Sequence, residues 1–248
     1  MVWRWASASV IGTSHVVNGG GLQDAHVVRQ LSNGGILAIV SDGAGSAMYG
    51  AYGAWLACRY LTIRFREYSR KQPGLPTDET LVSWIDQLRD WISAAATTKE
   101  TEPRQFAATL AAVIVFPDGG LTLQVGDSAI VGRNGEDWEV LCWPENGEYA
   151  SSTYFITDDP VPRLHIARHN HFYNAFAVFS DGVGDLALSQ KDETAFPGFL
   201  DPMIRPIANA EDNGRLVDVS QNLATFLHSP KVCDRTDDDK TIVLISRG

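Results

Sequence analysis

Twice the chain drives an apolar run into the same ending. Residues 36–47 read ILAIVSDGAGSA and residues 175–186 read AFAVFSDGVGDL. Each run is short, β-branched or aromatic, and closed by Ser-Asp-Gly, a small residue and another glycine, the pattern of a buried strand stopping at a sharp turn. The two copies sit in different surroundings, so they do not argue for a duplication. They do require a fold in which strand ends carry carboxylates.

The rest of the chain supplies those strands. WRWASASVIG and DAHVVRQL read as strands, SNGG as a hairpin turn and ILAIVSD as a buried strand. From Ser46 the period changes, and Met48, Tyr52, Trp55, Leu56, Arg59 and Ile63 fall on one helical face of a helix expected to run to about Arg70. After KQPGLP, Thr77 or Asp78 caps a second helix with the stripe Leu81, Trp84, Ile85, Leu88 and Trp91. FAATLAAVIVF, LTLQVGDSAIVGR and WEVLCW, joined by PDGG and NGED, predict an antiparallel meander. Residues 144–162 read as a loop with a short strand, RLHIARHN and NAFAVFSD as a strand pair, Asp185 to Leu227 as largely helical, and KTIVLIS as a closing strand. Strands, helices, strands, helices and a last strand make an α+β chain. No composition break divides it, so residues 1–248 are expected to form one domain.

Charge and cysteines exclude several classes. The net charge is −10, with no basic run, which argues against a general nucleic-acid binder. No apolar stretch is long enough to span a bilayer, and Trp3, Arg4 and Trp5 interrupt any signal-peptide core. Three widely spaced cysteines without a CxxC predict free thiols, and the whole predicts a cytoplasmic protein with no membrane partner.

Asp24, Asp42, Asp127, Asp181 and the run Asp237–Asp239 all lie at edges of apolar strands. Strand ends at one rim converge in space, and converging carboxylates stay ionised only around something positive. Mg²⁺ and Mn²⁺ accept such oxygen ligands. Taken singly, each aspartate is also explained by a turn, a bulge, a helix cap or a solvated loop.

In order, QDAH, VSDGAGS, AATLAAVIV, VGDSAIVGR, FSDGVGD and DDKTIVLI make the chain resemble the metal-dependent protein phosphatases of type 2C, over residues 12 to 245. The NGGG insertion and a missing arginine suggest a divergent bacterial branch. The resemblance implies a four-layer α-β-β-α sandwich, two antiparallel sheets face to face with helices outside. It also implies two Mn²⁺ or Mg²⁺ ions and a weaker third. Asp42 would bridge two metals with the Gly43 carbonyl on one; Asp181 and Asp238, or its neighbour Asp239, would complete the other. Asp24, and Gln23 if at all, would act through water, and Asp127 and Asp185 would hold the third ion. The implied activity is hydrolysis of phosphoserine or phosphothreonine in a protein substrate, opposing a partner kinase, by water activated between the metals. No G-x-S-x-G elbow or P-loop is present, and no cysteine-based phosphatase loop is read. Ala44 stands where many members carry a histidine, Gln23 replaces an acid, and His15 is the nearest substitute for the phosphate-clamping arginine. Ala44 and Gln23 leave open a phosphatase-fold binding or regulatory module with little or no turnover; a hydrolase of small phosphate esters is a separate alternative. The number of retained carboxylates favours the enzyme.

Overall fold

The computed structural model describes residues 2–147, 153–169 and 173–248. The chain begins with β1 (Trp3–Val10), a one-turn α1 (Thr13–Val17), β2 (Ala25–Gln30) and β3 (Ile36–Ser41). Two long helices come next, α2 (Gly50–Lys71) and α3 (Asp78–Thr98). Then come β4 (Leu110–Phe116), β5 (Gly119–Val125), β6 (Ala129–Asn134), β7 (Asp137–Cys142), β8 (His165–His169) and β9 (Ala175–Phe179). The last part holds α4 (Asp181–Ala187), β10 (Leu188–Ser189), β11 (Thr194–Ala195), α5 (Pro197–Ala208), β12 (Gly214–Arg215), α6 (Val217–Leu227), α7 (Pro230–Cys233) and β13 (Lys240–Arg247).

Two sheets carry the fold. One runs β2-β3-β4-β5-β8, antiparallel throughout; the other runs β12-β1-β13-β9-β6-β7, antiparallel except for the short parallel pair of β12 with β1. The period of a strand explains how they stack. Ile36, Ala38 and Val40 of β3, and Ala111, Val113 and Val115 of β4, face the other sheet and meet Val178, Val243 and Ile245. Leu37 and Ile39, with Leu110, Ala112 and Ile114, face the opposite way onto α2 and α3. Ala177, Phe179, Ile242 and Leu244 likewise meet α4, α5 and α6. Strands covered on both faces are apolar at every position, which is why β3, β4 and β9 are buried throughout. The expected α-β-β-α sandwich is the architecture found.

Four expectations are corrected. The meander is not one sheet: Gly126, at φ +92°, ends β5, and β6 belongs to the other sheet. β8 and β9 do not pair with each other. β9 is apolar on both faces and takes a central place between β13 and β6, whereas the more polar β8 is an edge strand beside β5. The buried face of α2 is Ala54, Ala57, Leu61 and Phe65, where small residues let the helix sit close to the sheet. Met48, Tyr52, Trp55 and Arg59 are exposed instead. In α3, Thr77 caps as expected by accepting the Thr80 N–H, and Trp84 is core, but Ile92 rather than Trp91 completes the stripe. The hairpin turn at SNGG is found, with Gly34 at φ +83°. The short strand expected within 144–162 lies partly outside the described residues.

Candidate active site

Each Ser-Asp-Gly ending is bolted to the neighbouring strand. The Ser41 hydroxyl donates to the Thr109 carbonyl (2.6 Å), the Asp42 N–H donates to Thr109 Oγ1 (3.0 Å), and the Thr109 N–H returns to the Asp42 carbonyl (2.8 Å). In the other sheet the Ser180 N–H donates to the Thr241 carbonyl (3.0 Å) and the Thr241 N–H to Ser180 Oγ (3.1 Å). The glycines are there for room. A Cβ on Gly43 would lie 2.3 Å from the Gly50 carbonyl carbon, and one on Gly182 would lie 2.1 Å from the Asp239 carbonyl oxygen.

These endings aim two carboxylates at one space, and Gly126 adds a third. Oxygens of Asp42, Asp127 and Asp181 lie within 4.8 Å of one another. Asp127 accepts the Thr153 hydroxyl on one oxygen and leaves the other buried and unpartnered. A cleft of about 430 Å³ opens above them, lined also by His15, Gly43, Ala44, Thr109 and Asp238. Asp24 lies buried beneath, one oxygen accepting the Ser180 hydroxyl (2.7 Å) and the other without a partner.

Crowding and burial shift these carboxyls upward. Burial, then Asp24, Asp181, Asp127 and Asp238, hold the Asp42 carboxyl well above the usual carboxylate range. Burial, then Asp127, Asp238 and Asp24, raise Asp181 to about 7. Asp24 is raised to about 6 by burial, against hydrogen bonds from Thr241 and Ser180. Burial raises Asp127, opposed by its bond from Thr153. Carboxylates that repel one another, two buried oxygens without partners and a donor set made of oxygen fit a hard divalent cation.

Asp238 and Asp239, indistinguishable by sequence, separate cleanly. Asp239 is buried and spends its oxygens on the Gly12 N–H (2.7 Å) and the Gln23 N–H (2.6 Å). Asp238 faces the cleft, and the buried Lys240 ammonium donates to its carbonyl (2.8 Å). His15, on α1, sits between them, Nδ1 3.1 Å from Asp239 and Nε2 3.7 Å from Asp238. Gln23 contributes its backbone, donating to Asp239 and accepting the Gly43 N–H. Asp127 lies grouped with Asp42 and Asp181. Asp185 is exposed on α4 and neither lines the cleft nor joins a carboxylate group among the described residues.

Other residues fall away from the site. The ring of His26 bonds to the Ser9 (2.8 Å) and Ser7 (3.0 Å) hydroxyls; burial, then Arg215, lower its pKa to about 4. His165 meets Glu145 (2.7 Å) and His169 meets Thr122 (3.1 Å). Cys58 and Arg64 do have the Cys-x5-Arg spacing of a cysteine phosphatase loop, contrary to the sequence expectation. Both are on α2, where burial keeps the Cys58 thiol protonated and Arg64 is tied to Tyr60 and Gln87. Thr153, Phe155 and the anchoring role of Ser180 were not anticipated; Thr153 stands in a loop with no periodic signal.

Comparison with known proteins agrees with this geometry. A family model described as Protein phosphatase 2C matches residues 11–228. The chain is 35% identical over 250 residues to Serine/threonine-protein phosphatase 3 of Escherichia coli (strain K12), covering 98% of each. A bacterial serine phosphatase structure matches with TM-score 0.68 at 18% identity, covering 98% of this chain and 96% of that one. The serine/threonine phosphatase Stp1 from Staphylococcus aureus gives 0.66 at 17%, covering 100% and 96%. The catalytic domain of the phosphatase PstP, solved with two manganese ions, gives 0.62 at 17%, covering 99% and 98%. The chain belongs to the protein phosphatase 2C family and is a serine/threonine protein phosphatase.

Proposed function

We propose that the phosphatase is metal-dependent and that Mn²⁺ or Mg²⁺ is held by Asp42, Asp127 and Asp181, with Asp238 and the Gly43 backbone beside them. The observation that carries this is the convergence of three carboxylates from both sheets, with no lysine or arginine lining their cleft among the described residues. Two ions per chain is the working number; PstP, of the same fold, was solved with two manganese ions. Bound there, a divalent cation supplies Lewis-acid polarisation of a phosphoryl group and a lowered pKa for the attacking water.

The chain's own part is positioning. Thr109 and Ser180 fix the strand ends from which Asp42 and Asp181 project. Thr153 fixes Asp127. Asp239 ties the Gly12 and Gln23 backbones together and holds His15, whose Nε2 lies at the cleft wall and orients a phosphoryl oxygen in this reading. Among the described residues no cleft-lining serine, threonine or cysteine is hydrogen-bonded to a histidine or lysine, so water rather than a side chain attacks phosphorus. Ala44 offers no proton to the leaving alkoxide.

In this reading the substrate is a phosphoprotein made by a partner Ser/Thr kinase, and the enzyme works in the cytoplasm as one domain, with no nucleic-acid or membrane partner. No helix among the described residues is long and apolar enough to cross a membrane. The test is phosphate release from a phosphothreonine peptide by dialysed protein. Activity is expected to vanish in excess chelator and return with Mn²⁺; full activity in chelator would overturn the metal mechanism.

A further inference from the structure

The α2 face that periodicity assigned to the core instead borders an open groove. Trp55, Arg59, Thr62 and Arg66 stand four, three and four residues apart, so they form one stripe along the helix. They line one wall of a groove of about 260 Å³, and Arg29 stands on the other wall, on the edge strand β2. Among the described residues no carboxylate lines it.

The chain carries 30 acidic and 20 basic residues. Arg64, Arg89, Arg104, Arg133, Arg163 and Arg168 each sit within 4.0 Å of a carboxylate, whereas Arg4, Arg70, Arg205, Arg215 and Arg235, like the groove arginines, form no such pair among the described residues. Arg59 and Arg66 have no carboxylate partner among the described residues, and Arg29 donates only to the Val28 carbonyl (2.8 Å). Thr62 Oγ1 is buried with no hydrogen-bond partner. Trp55 is 48% exposed despite its size. Three unneutralised guanidinium groups and an orphaned hydroxyl beside an open indole are the complement of an anionic, partly apolar ligand.

Between this groove and the catalytic cleft the chain presents a short exposed stretch. Tyr52 stacks on Trp55 (5.6 Å), Met48 is exposed before it, and Ser46 lines the cleft itself. At about 1.5 Å per residue, Arg59 and Arg66 lie roughly 14 and 24 Å along α2 from its first residue. An extended peptide, rising about 3.3 Å per residue, spans that in roughly four to seven residues.

We propose that this groove docks an acidic segment of the phosphoprotein substrate, several residues away from the phosphorylated side chain. The proposal rests on the phosphatase reading and names which phosphoproteins it prefers. Carboxylates of the segment would bind Arg29, Arg59 and Arg66, Thr62 would donate its hydroxyl, and an apolar residue would lie on Trp55.

The test uses the Mn²⁺-loaded enzyme and an R59E/R66E variant, both changes on the exposed helix surface. Three substrates are compared: a phosphothreonine peptide with a Glu cluster five to seven residues away on either side, the same peptide with Gln, and p-nitrophenyl phosphate. An exposed ion pair is worth at most about fivefold, so several together predict a roughly tenfold lower KM for the Glu peptide at low salt. That preference should disappear in R59E/R66E, with kcat and the aryl phosphate constants unchanged. Equal KM values for both peptides in the native enzyme, or a preference that survives in the variant, would overturn the inference while leaving the phosphatase reading intact. A second arm needs no turnover: a labelled, unphosphorylated Glu-rich peptide should bind the native protein by fluorescence anisotropy and fail to bind R59E/R66E. Failure of all three substrates would sink the phosphatase reading, yet this arm would still decide the groove. Displacement of that peptide by millimolar inorganic phosphate, with no preference in KM, would make it a free-anion site and end the docking proposal.

Discussion

Ser41-Asp42-Gly43 ends β3 in one sheet, and Ser180-Asp181-Gly182 ends β9 in the other. Both use a buried serine to grip the next strand, an aspartate to face the cleft and a glycine where backbone approaches backbone. Beyond the aspartate the two endings diverge. At Asp181 the helix α4 starts at once, so that ending offers the cleft a side chain. From Asp42 the chain runs on to Tyr49 before α2 begins, and Gly43, Ala44, Gly45 and Ser46 line the cleft. Ser41 bonds only to backbone, whereas Ser180 also donates to Asp24 and so links its strand end to a buried carboxylate. One motif therefore builds a wall of the site, and its echo builds a wire to the acid beneath it.

The largest effect should come from the two aspartates themselves. Each sits among four other carboxylates, but Asp42 is half-buried whereas the Asp181 residue keeps more surface open to solvent even though its carboxyl is desolvated. Asp42→Asn is expected to lower kcat at saturating Mn²⁺ by about a thousandfold or more, and Asp181→Asn by less, since each loses a group that holds the cation. Steady-state kinetics on a phosphopeptide, with metal affinity from calorimetry, checks this. Equal losses would mean the two ends are interchangeable, and near-normal turnover in either would remove that residue from the site.

Gly43→Ala and Gly182→Ala probe whether room, rather than turn conformation, explains the glycines. Neither alanine can be accommodated without backbone movement, so each should destabilise by roughly 1–3 kcal/mol, measured by urea midpoints. Gly182→Ala should also cut turnover beyond that loss, because the clash falls on Asp239, next to Asp238. A neutral result for either would mean its backbone contact is loose.

A pH titration of the metal-free protein sharpens the electrostatic side. Asp24 and Asp181 have folded pKa values near 6 and 7, above the unfolded 3.8, so between those limits the folded state binds more protons. Their contribution to stability therefore falls as pH rises through that window, and is most favourable below it. The melting temperature should drop by several degrees between pH 5.5 and 8 without metal, and saturating Mn²⁺ should remove most of the drop. A metal-free melting temperature that rises over this range would contradict the crowded-carboxylate picture.

How much of this the sequence held differs by level. The strands, their ends and the convergence of Asp42 with Asp181 were legible, because apolar runs and Asp-Gly turns are local signals and the ordered motifs resemble one family. Pairing was not: which sheet receives β6 or β8 depends on contacts between distant segments. The α2 stripe misled because Met48, Tyr52 and Trp55 are apolar yet exposed, while the buried face is made partly of alanines that carry little hydrophobic signal. Asp238 and Asp239 could not be told apart, since only the fold decides which carboxylate meets the Gly12 and Gln23 amides. Thr153 gave no signal at all.

The serines give the smallest and most specific comparison. Ser41→Ala removes one donor from the Thr109 carbonyl, a net loss of about 1 kcal/mol. Ser180→Ala deprives both the Thr241 N–H and Asp24 of their partner. It should cost about 1–3 kcal/mol, because a hydrogen bond to an ionised group is the stronger kind. The excess over Ser41→Ala should depend on pH in the metal-free protein. Below about pH 6 Asp24 is protonated and its bond to Ser180 is an ordinary neutral one, so the two variants should converge. Above that pH the ionised carboxylate loses a stabilising donor, and Ser180→Ala should fall further behind. Urea titrations of both variants at pH 5 and 8 measure the gap directly. A gap that stays constant would mean that Ser180 holds only the β9–β13 edge, and that Asp24 gains nothing from the serine of the second motif.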